Sequence, residues 1–204
     1  SIFLDFVDQI GQYALNVNNH LSLTQDEFLN QSFEGKKISE YFTDIITKIG
    51  ENIVLKRLSV ITKSLNSEFY SYIHNQYRSN IGKICVILKA EVDNKDDTSK
   101  QFGKNLCMHI AASKPLALDI NELDSSLINK EKDIQLAIIK SSGKADNIIE
   151  KILEGKMNKY LSEVTLLNQP YIFDTDKNVR KAVSEFSSNN LFNILNFELF
   201  VLGS

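Results

Sequence analysis

The side chains able to make or break bonds are few. Cys85 and Cys107 are the only thiols, and His20, His74 and His109 the only imidazoles. Cys107 with His109 or His74 would supply a nucleophile and a base, the pairing that activates a thiol for covalent catalysis. Two residues apart on a helix, however, Cys107 and His109 point to different sides, and no third orienting group or glycine-rich turn accompanies them. No catalytic residue is assigned. The same five residues show none of the short ligand spacings of zinc modules, so neither a metal nor a cofactor is expected. Two cysteines in apolar runs are too few for a disulfide framework. They read as small buried hydrophobes in a reducing, cytoplasmic setting.

Bulk composition narrows the classes further. With 204 residues, 43% hydrophobic and 24% charged, the chain has the makings of one or two globular domains. A net charge of -3 supplies no basic footprint for a phosphate backbone, so nucleic acid is not expected as a partner. Apolar stretches such as Ile84 to Leu88 fall far short of the roughly 20 residues that span a bilayer, and no signal-peptide pattern opens the chain.

The elements that would position a functional surface follow from periodicity. Phe3, Phe6, Val7, Ile10, Tyr13, Ala14 and Val17 form one face of a helix over Ile2 to Val17. Ser39 is expected to cap a second helix, with the stripe Phe42, Ile45, Ile46, Ile49 and a stop at Gly50. The β-branched run Ile53 to Ile61 reads as a strand. Phe69 to His74 and Ile84 to Leu88 read as two more, the latter too uniformly apolar to face water. After a loop from Asp93 to Ser99, a helix from Gln101 uses Phe102, Leu106, Ile110 and Ala111 and ends at Lys114-Pro115. Asp124 caps a long helix to Ser142 with Gly143 as its stop, and a second long helix runs from Ala145 to Val164; together they form an antiparallel hairpin. A short helix over Asn178 to Phe186 and a strand over Phe192 to Val201 close the chain.

The order of elements suggests a duplication: an apolar helix, helical material and a closing strand occur over Ile2 to Ile61 and again over Phe102 to Val201. The second copy has two strands in front, and the counterparts for the first would lie upstream of Ser1. The expected fold is therefore α+β: two duplicated subdomains, 1–66 (an incomplete repeat) and 67–204, with antiparallel sheets packed by helices, and a projecting helical hairpin (a coiled coil) at about 124–165.

Four segments, in order, resemble the elongation factor Ts family. They are Lys48-Ile49-Gly50-Glu51-Asn52-Ile53 with Lys56-Arg57; Ser71-Tyr72-Ile73-His74 with Ile81-Gly82; Met108-His109-Ile110-Ala111-Ala112-Ser113-Lys114-Pro115; and Ile149-Glu150-Lys151-Ile152-Leu153-Glu154-Gly155-Lys156-Met157 through Glu163-Val164 to Asn168-Gln169-Pro170-Tyr171. Any one could arise by chance; four at compatible spacings do not. The turn before Ile81 is longer than usual for the family. The family's ubiquitin-associated-like N-terminal domain and its Thr-Asp-Phe-Val motif are not in this sequence. Phe3-Leu4-Asp5-Phe6-Val7-Asp8 resembles the helix that follows that motif.

The resemblance implies a guanine nucleotide exchange factor of translation elongation that binds elongation factor Tu, GDP-bound and nucleotide-free, and promotes GDP release, in a bacterial cytoplasm or an organelle of bacterial descent. It implies contacts at Ile81 and Gly82 and at Met108 and His109; Phe197 and Leu199 follow from strand position. A homodimer or a two-to-two complex is compatible with the exposed strands. Periodicity offers plainer readings. His109 lies one residue from the Phe102, Leu106, Ile110 stripe and reads as a boundary histidine bonded to backbone. Gly82 reads as permitting a turn, and Met157 and Tyr160 as closing the hairpin's own seam. The alternative function is a non-catalytic interaction module whose hairpin binds another partner or itself.

Overall fold

The computed structural model describes residues 1–16, 23–141 and 146–203. The expected helix end at Val17, His20, the arm end at Ser142 with its stop at Gly143, and the arm start at Ala145 lie outside these. Helices α1 (Ile2–Asn16), α2 (Gln25–Asn30) and α3 (Ile38–Ile49) come first, with the short pair β1 (Ser32–Phe33) and β2 (Lys36–Lys37) between the last two. Strands β3 (Ser67–Arg78) and β4 (Ile81–Val92) follow, then α4 (Asp97–Ser113), α5 (Ser125–Lys140) and α6 (Asp146–Val164). The chain ends with β5 (Pro170–Tyr171), β6 (Asp174–Asn178), α7 (Val179–Ser187) and β7 (Phe192–Val201). The fold is α+β, with a three-stranded sheet in the order β3-β4-β7.

Two compact units are present: Ser1–Leu65 with Ile73–Cys85 and Phe200–Ser204, and Asn66–Tyr72 with Val86–Leu199. In the first, Phe6 and Ile10 of α1 pack with Phe28, Ile38 and Ile45. These residues recur at helical spacing because only one stripe of each helix leaves water. Helix α2 is fixed at its start by a reciprocal cap between Thr24 and Glu27. Helix α3 ends as expected on Gly50, at φ 78°. Its start differs from expectation: Lys37 is the cap residue and makes no side-chain cap bond. Ser39 already lies inside the first turn, where its carbonyl accepts from Thr43.

The run Ile53 to Ile61 joins none of the sheets and is not a strand among the described residues. β-branched residues favour extended backbone, but a strand exists only through a ladder with a neighbour. Here Gln25 donates to the Leu55 carbonyl instead.

Strands β3 and β4 extend well beyond the apolar runs that announced them, and residues of each fall in both units. Val86, Leu88, Ala90 and Val92 are buried, while Ile87 is exposed, so β4 alternates and one face of it meets water after all. Helix α4 starts a turn earlier than Gln101, because Asp96 accepts from the Ser99 amide and so caps it. Phe102 of α4 stacks on Phe186 at 4.2 Å and meets Phe192 edge-on. The arms α5 and α6, 16 and 19 residues long and so about 24 and 28 Å, pack against each other, and Lys156 donates to Gln135 across the pair. Asp124 caps α5 through the Ser126 amide, as its position required. Met157 and Tyr160 are half-buried, but Ile148, assigned to the same stripe, is exposed.

Candidate functional site

Met108 and His109 lie in the last turns of α4, whose Leu106, Cys107 and Ile110 fill the core. The helix stops at Lys114, which adopts φ 47° and returns its amide to the Ile110 carbonyl at 2.9 Å. Pro115 forbids a further α turn. The chain then runs beside the end of α6: Leu116 donates to Val164 at 2.8 Å and Leu166 to Ala117 at 2.9 Å. A parallel bridge between Ala117 and Thr165 joins the two segments. This places Gln169 against the end of α4.

His109 is 0% exposed and Gln169 3%. The His109 Nε2–H donates to Gln169 Oε1 at 2.9 Å, and the Ile172 amide donates to His109 Nδ1 at 3.3 Å. One ring nitrogen is thus a donor and the other an acceptor, which assigns the neutral Nε2–H tautomer from the network. Burial lowers the His109 pKa, against the smaller opposing pull of the Gln169 bond. The Gln169 amide nitrogen donates to the carbonyls of Glu163 at 2.7 Å and Ser113 at 3.3 Å. These carbonyls belong to the last turns of α6 and α4, where helices leave acceptors without an internal partner.

Tyr171 packs its ring 5.8 Å from the imidazole. The register then pairs Tyr171 with Asp174, leaving Ile172 and Phe173 as a two-residue loop. Loops of this length usually carry Asn-Gly or similar residues with positive φ. Neither position here is glycine, and neither takes positive φ. The loop is held by the acceptor that His109 offers to Ile172. Ile172 and Phe173 are 42% and 51% exposed, and Met108 is half-buried.

The other expected contact residues lie elsewhere. Ile81 opens β4 in the first unit. A Cβ on Gly82 would fall inside van der Waals contact of Ile73 Cγ2 and 3.0 Å from the His74 carbonyl oxygen. Close approach of the two strands, not a turn, is what requires glycine there, since the turn occupies 79–80. Gly82 also lines a groove of about 690 Å³ with Lys83, Cys85, Arg57, Phe200 and Leu202. The Arg57 guanidinium lies 4.1 Å above the Phe200 ring in that groove. Phe197 and Leu199 sit half-buried on β7, sharing the parity of exposed Asn193 and Leu195.

Nucleophilic chemistry finds no support in these surroundings. Burial pushes the Cys107 thiol up to about 12, so it stays protonated at neutral pH, and the imidazole of His109 is committed to Gln169 and Ile172. The half-buried Cys85 thiol is raised as well, again by desolvation. Among the described residues, no group of three or more His, Cys, Asp or Glu side chains could hold a metal ion, and no helix is long and apolar enough to cross a membrane. Sequence reasoning missed Gln169 as an organising residue and Ile172-Phe173 as an exposed apolar tip. The only signals were a glutamine before proline and two large apolar residues where turn residues belong.

The sequence matches the family model described as Elongation factor TS over residues 1–204. It is 34% identical to elongation factor Ts of Brucella anthropi over 183 residues, covering 90% of this chain and 58% of that protein. It is 34% identical to that of Parvibaculum lavamentivorans over 207 residues, covering 98% and 65%. With the protein of the same name from Ruegeria sp. (strain TM1040) the identity is 36% over 183 residues, covering 90% and 58%. The chain thus spans about three fifths of the length of these relatives.

Proposed function

The chain belongs to the elongation factor Ts family, and from that premise we propose that it acts in translation elongation as an exchange factor that binds elongation factor Tu and promotes release of GDP. The observation that carries this reading is the family match over residues 1–204. An exchange factor performs no bond chemistry: it binds the empty GTPase more tightly than the occupied one, and by linkage GDP then binds the complex more weakly. Such a protein needs a rigid, partly apolar surface in place of titrating groups.

Two features of the structure favour that reading over a thiol enzyme. The Cys107 thiol, two residues from His109, is held protonated. The His109 ring instead holds the loop that exposes Ile172 and Phe173, and half-buried Met108 precedes the histidine on α4. In this reading Ile81, Gly82, Met108, His109, Phe197 and Leu199 contribute to the partner surface. Buried His109 acts there through Met108 and Ile172. The reading keeps the division into 1–66 and 67–204, a cytoplasmic location, and the one-to-one or two-to-two stoichiometries.

The test is release of mant-GDP from elongation factor Tu with and without this chain. Acceleration is expected, smaller than that given by a full-length family member, which carries the Thr-Asp-Phe-Val motif. Immobilised chain should retain elongation factor Tu and release it when GDP and Mg²⁺ are added. No retention of the nucleotide-free GTPase by folded chain would overturn the reading and leave a different interaction module in its place.

A further inference from the structure

Gln169 uses all of its polar atoms. Its amide nitrogen reaches the Glu163 and Ser113 carbonyls and its amide oxygen accepts from His109. Its backbone N–H bonds back to Thr165, and its carbonyl accepts from Val179 at the start of α7. One buried side chain therefore joins the end of the long arm α6, the end of α4 and the ring that holds the Ile172-Phe173 loop. A buried amide with every hydrogen bond satisfied permits one arrangement of its neighbours, because any shift strands a polar group away from water. The αL turn at Lys114 and the bridge between Ala117 and Thr165 fix the same two helix ends through the backbone. Gln169 is the side chain common to both ends and to His109.

We propose that Gln169 is a positioning residue: by tying the base of the α5–α6 hairpin to His109, it fixes Met108 and the Ile172-Phe173 loop in the arrangement that distinguishes an empty GTPase from an occupied one. This rests on the exchange-factor reading above. A residue of this kind sets the ratio of two affinities, since a partner can bias an equilibrium only through differential binding to its two states. A purely structural residue would lower the folded fraction and weaken both affinities alike.

The experiment compares wild type, Gln169→Met and Gln169→Glu. Methionine keeps the length and removes every side-chain hydrogen bond; glutamate keeps the acceptor for His109 and loses both donors to the helix ends. For each, affinity is measured for elongation factor Tu stripped of nucleotide and for the same protein loaded with GDP and Mg²⁺. The wild type should prefer the empty form, and in both variants that preference should fall at least tenfold at a temperature where circular dichroism shows them folded. A preference within twofold of wild type in folded variants overturns the positioning role alone. A wild type with no preference overturns the exchange-factor reading itself, and the positioning role with it. If neither variant folds, hydrogen exchange on the wild type decides. Protection of the His109 Nε2–H and the Ile172 amide should rise at least tenfold more on binding the empty GTPase than the GDP form, and equal protection in both complexes overturns the proposal.

Discussion

Replacing Gly103 by alanine sets two effects of opposite sign against each other. A glycine inside a helix is less favourable than alanine by about 1 kcal/mol, so propensity alone favours the change. A Cβ at position 103, however, would lie 2.7 Å from Tyr70 Cδ2 and inside contact of two further ring carbons. The Tyr70 ring cannot retreat freely: it is buried and packs 5.5 Å from Phe192, which is 1% exposed. Overpacking of this kind costs about 1–3 kcal/mol, occasionally more, and the close ring contact places Gly103 toward the upper end. The net effect is a loss of about 1–2 kcal/mol, or a fall in Tm of about 2–8 °C for a chain of this size. Gly155, in the interior of α6, has nothing within 4 Å of its would-be Cβ, so Gly155→Ala should raise Tm by about 2–4 °C through propensity alone. Thermal and urea unfolding of both variants by circular dichroism measures the pair. If Gly103→Ala also raises Tm, the approach of α4 to Tyr70 is not what demands glycine, and the packing argument is wrong.

Other expectations concern the site. Because burial lowers the His109 pKa in the folded state, the unfolded chain takes up the extra proton as pH falls below about 6.5. Stability from this group is full above that pH and declines as pH drops toward the folded-state value, by up to about 1.4 kcal/mol per pH unit; His109→Gln should remove this component from urea titrations between pH 5 and 7. Phe173→Ala should weaken binding to nucleotide-free elongation factor Tu by roughly tenfold or more, as truncation of an aromatic anchor does, while Tm moves by no more than about 2 °C because the side chain is half exposed; calorimetry and a melting curve report both, and unchanged affinity removes Phe173 from the interface. Cys85 should react with a disulfide reagent before Cys107, which is buried and should label only as the protein unfolds. Equal rates would contradict the placement of Cys107 in the core.

What the sequence announced was local. The stripes of α1, α3, α4 and α6 are written in residues three or four apart and lie on the expected helices, although Phe3 and Ile148 of those stripes are exposed; the caps at Asp124 and Gly50 and the breaks at Lys114-Pro115 and Gln169-Pro170 stand where expected. Strand β7 begins and ends at its expected residues, Phe192 and Val201, with Asn189 and Asn190 shortly before it and Gly203 shortly after. The run from Ile53 to Ile61 misled because β propensity reports what a side chain would do in a ladder and cannot say whether a neighbouring strand is present. Helix α2 went unread although its Thr24 and Glu27 spell a reciprocal cap; six residues are too few for periodicity to show. The His109–Gln169 bond spans 60 positions, beyond any spacing rule. Periodicity put His109 at the edge of the apolar stripe of α4, bonded to backbone. Its Nδ1 does accept a backbone amide, but the ring is in the interior.

The hairpin leaves and rejoins the body at one place, since Leu116, Ala117 and Leu118 lie alongside Val164 to Leu167. An excursion whose two feet stand together can be lengthened, trimmed or swapped with little effect on what lies beneath it. The entropy of closing such a detour grows only logarithmically, by about 0.6 kcal/mol for each doubling of its length. Reach is therefore a free variable in this architecture, adjustable a few turns at a time without refitting the platform that carries it.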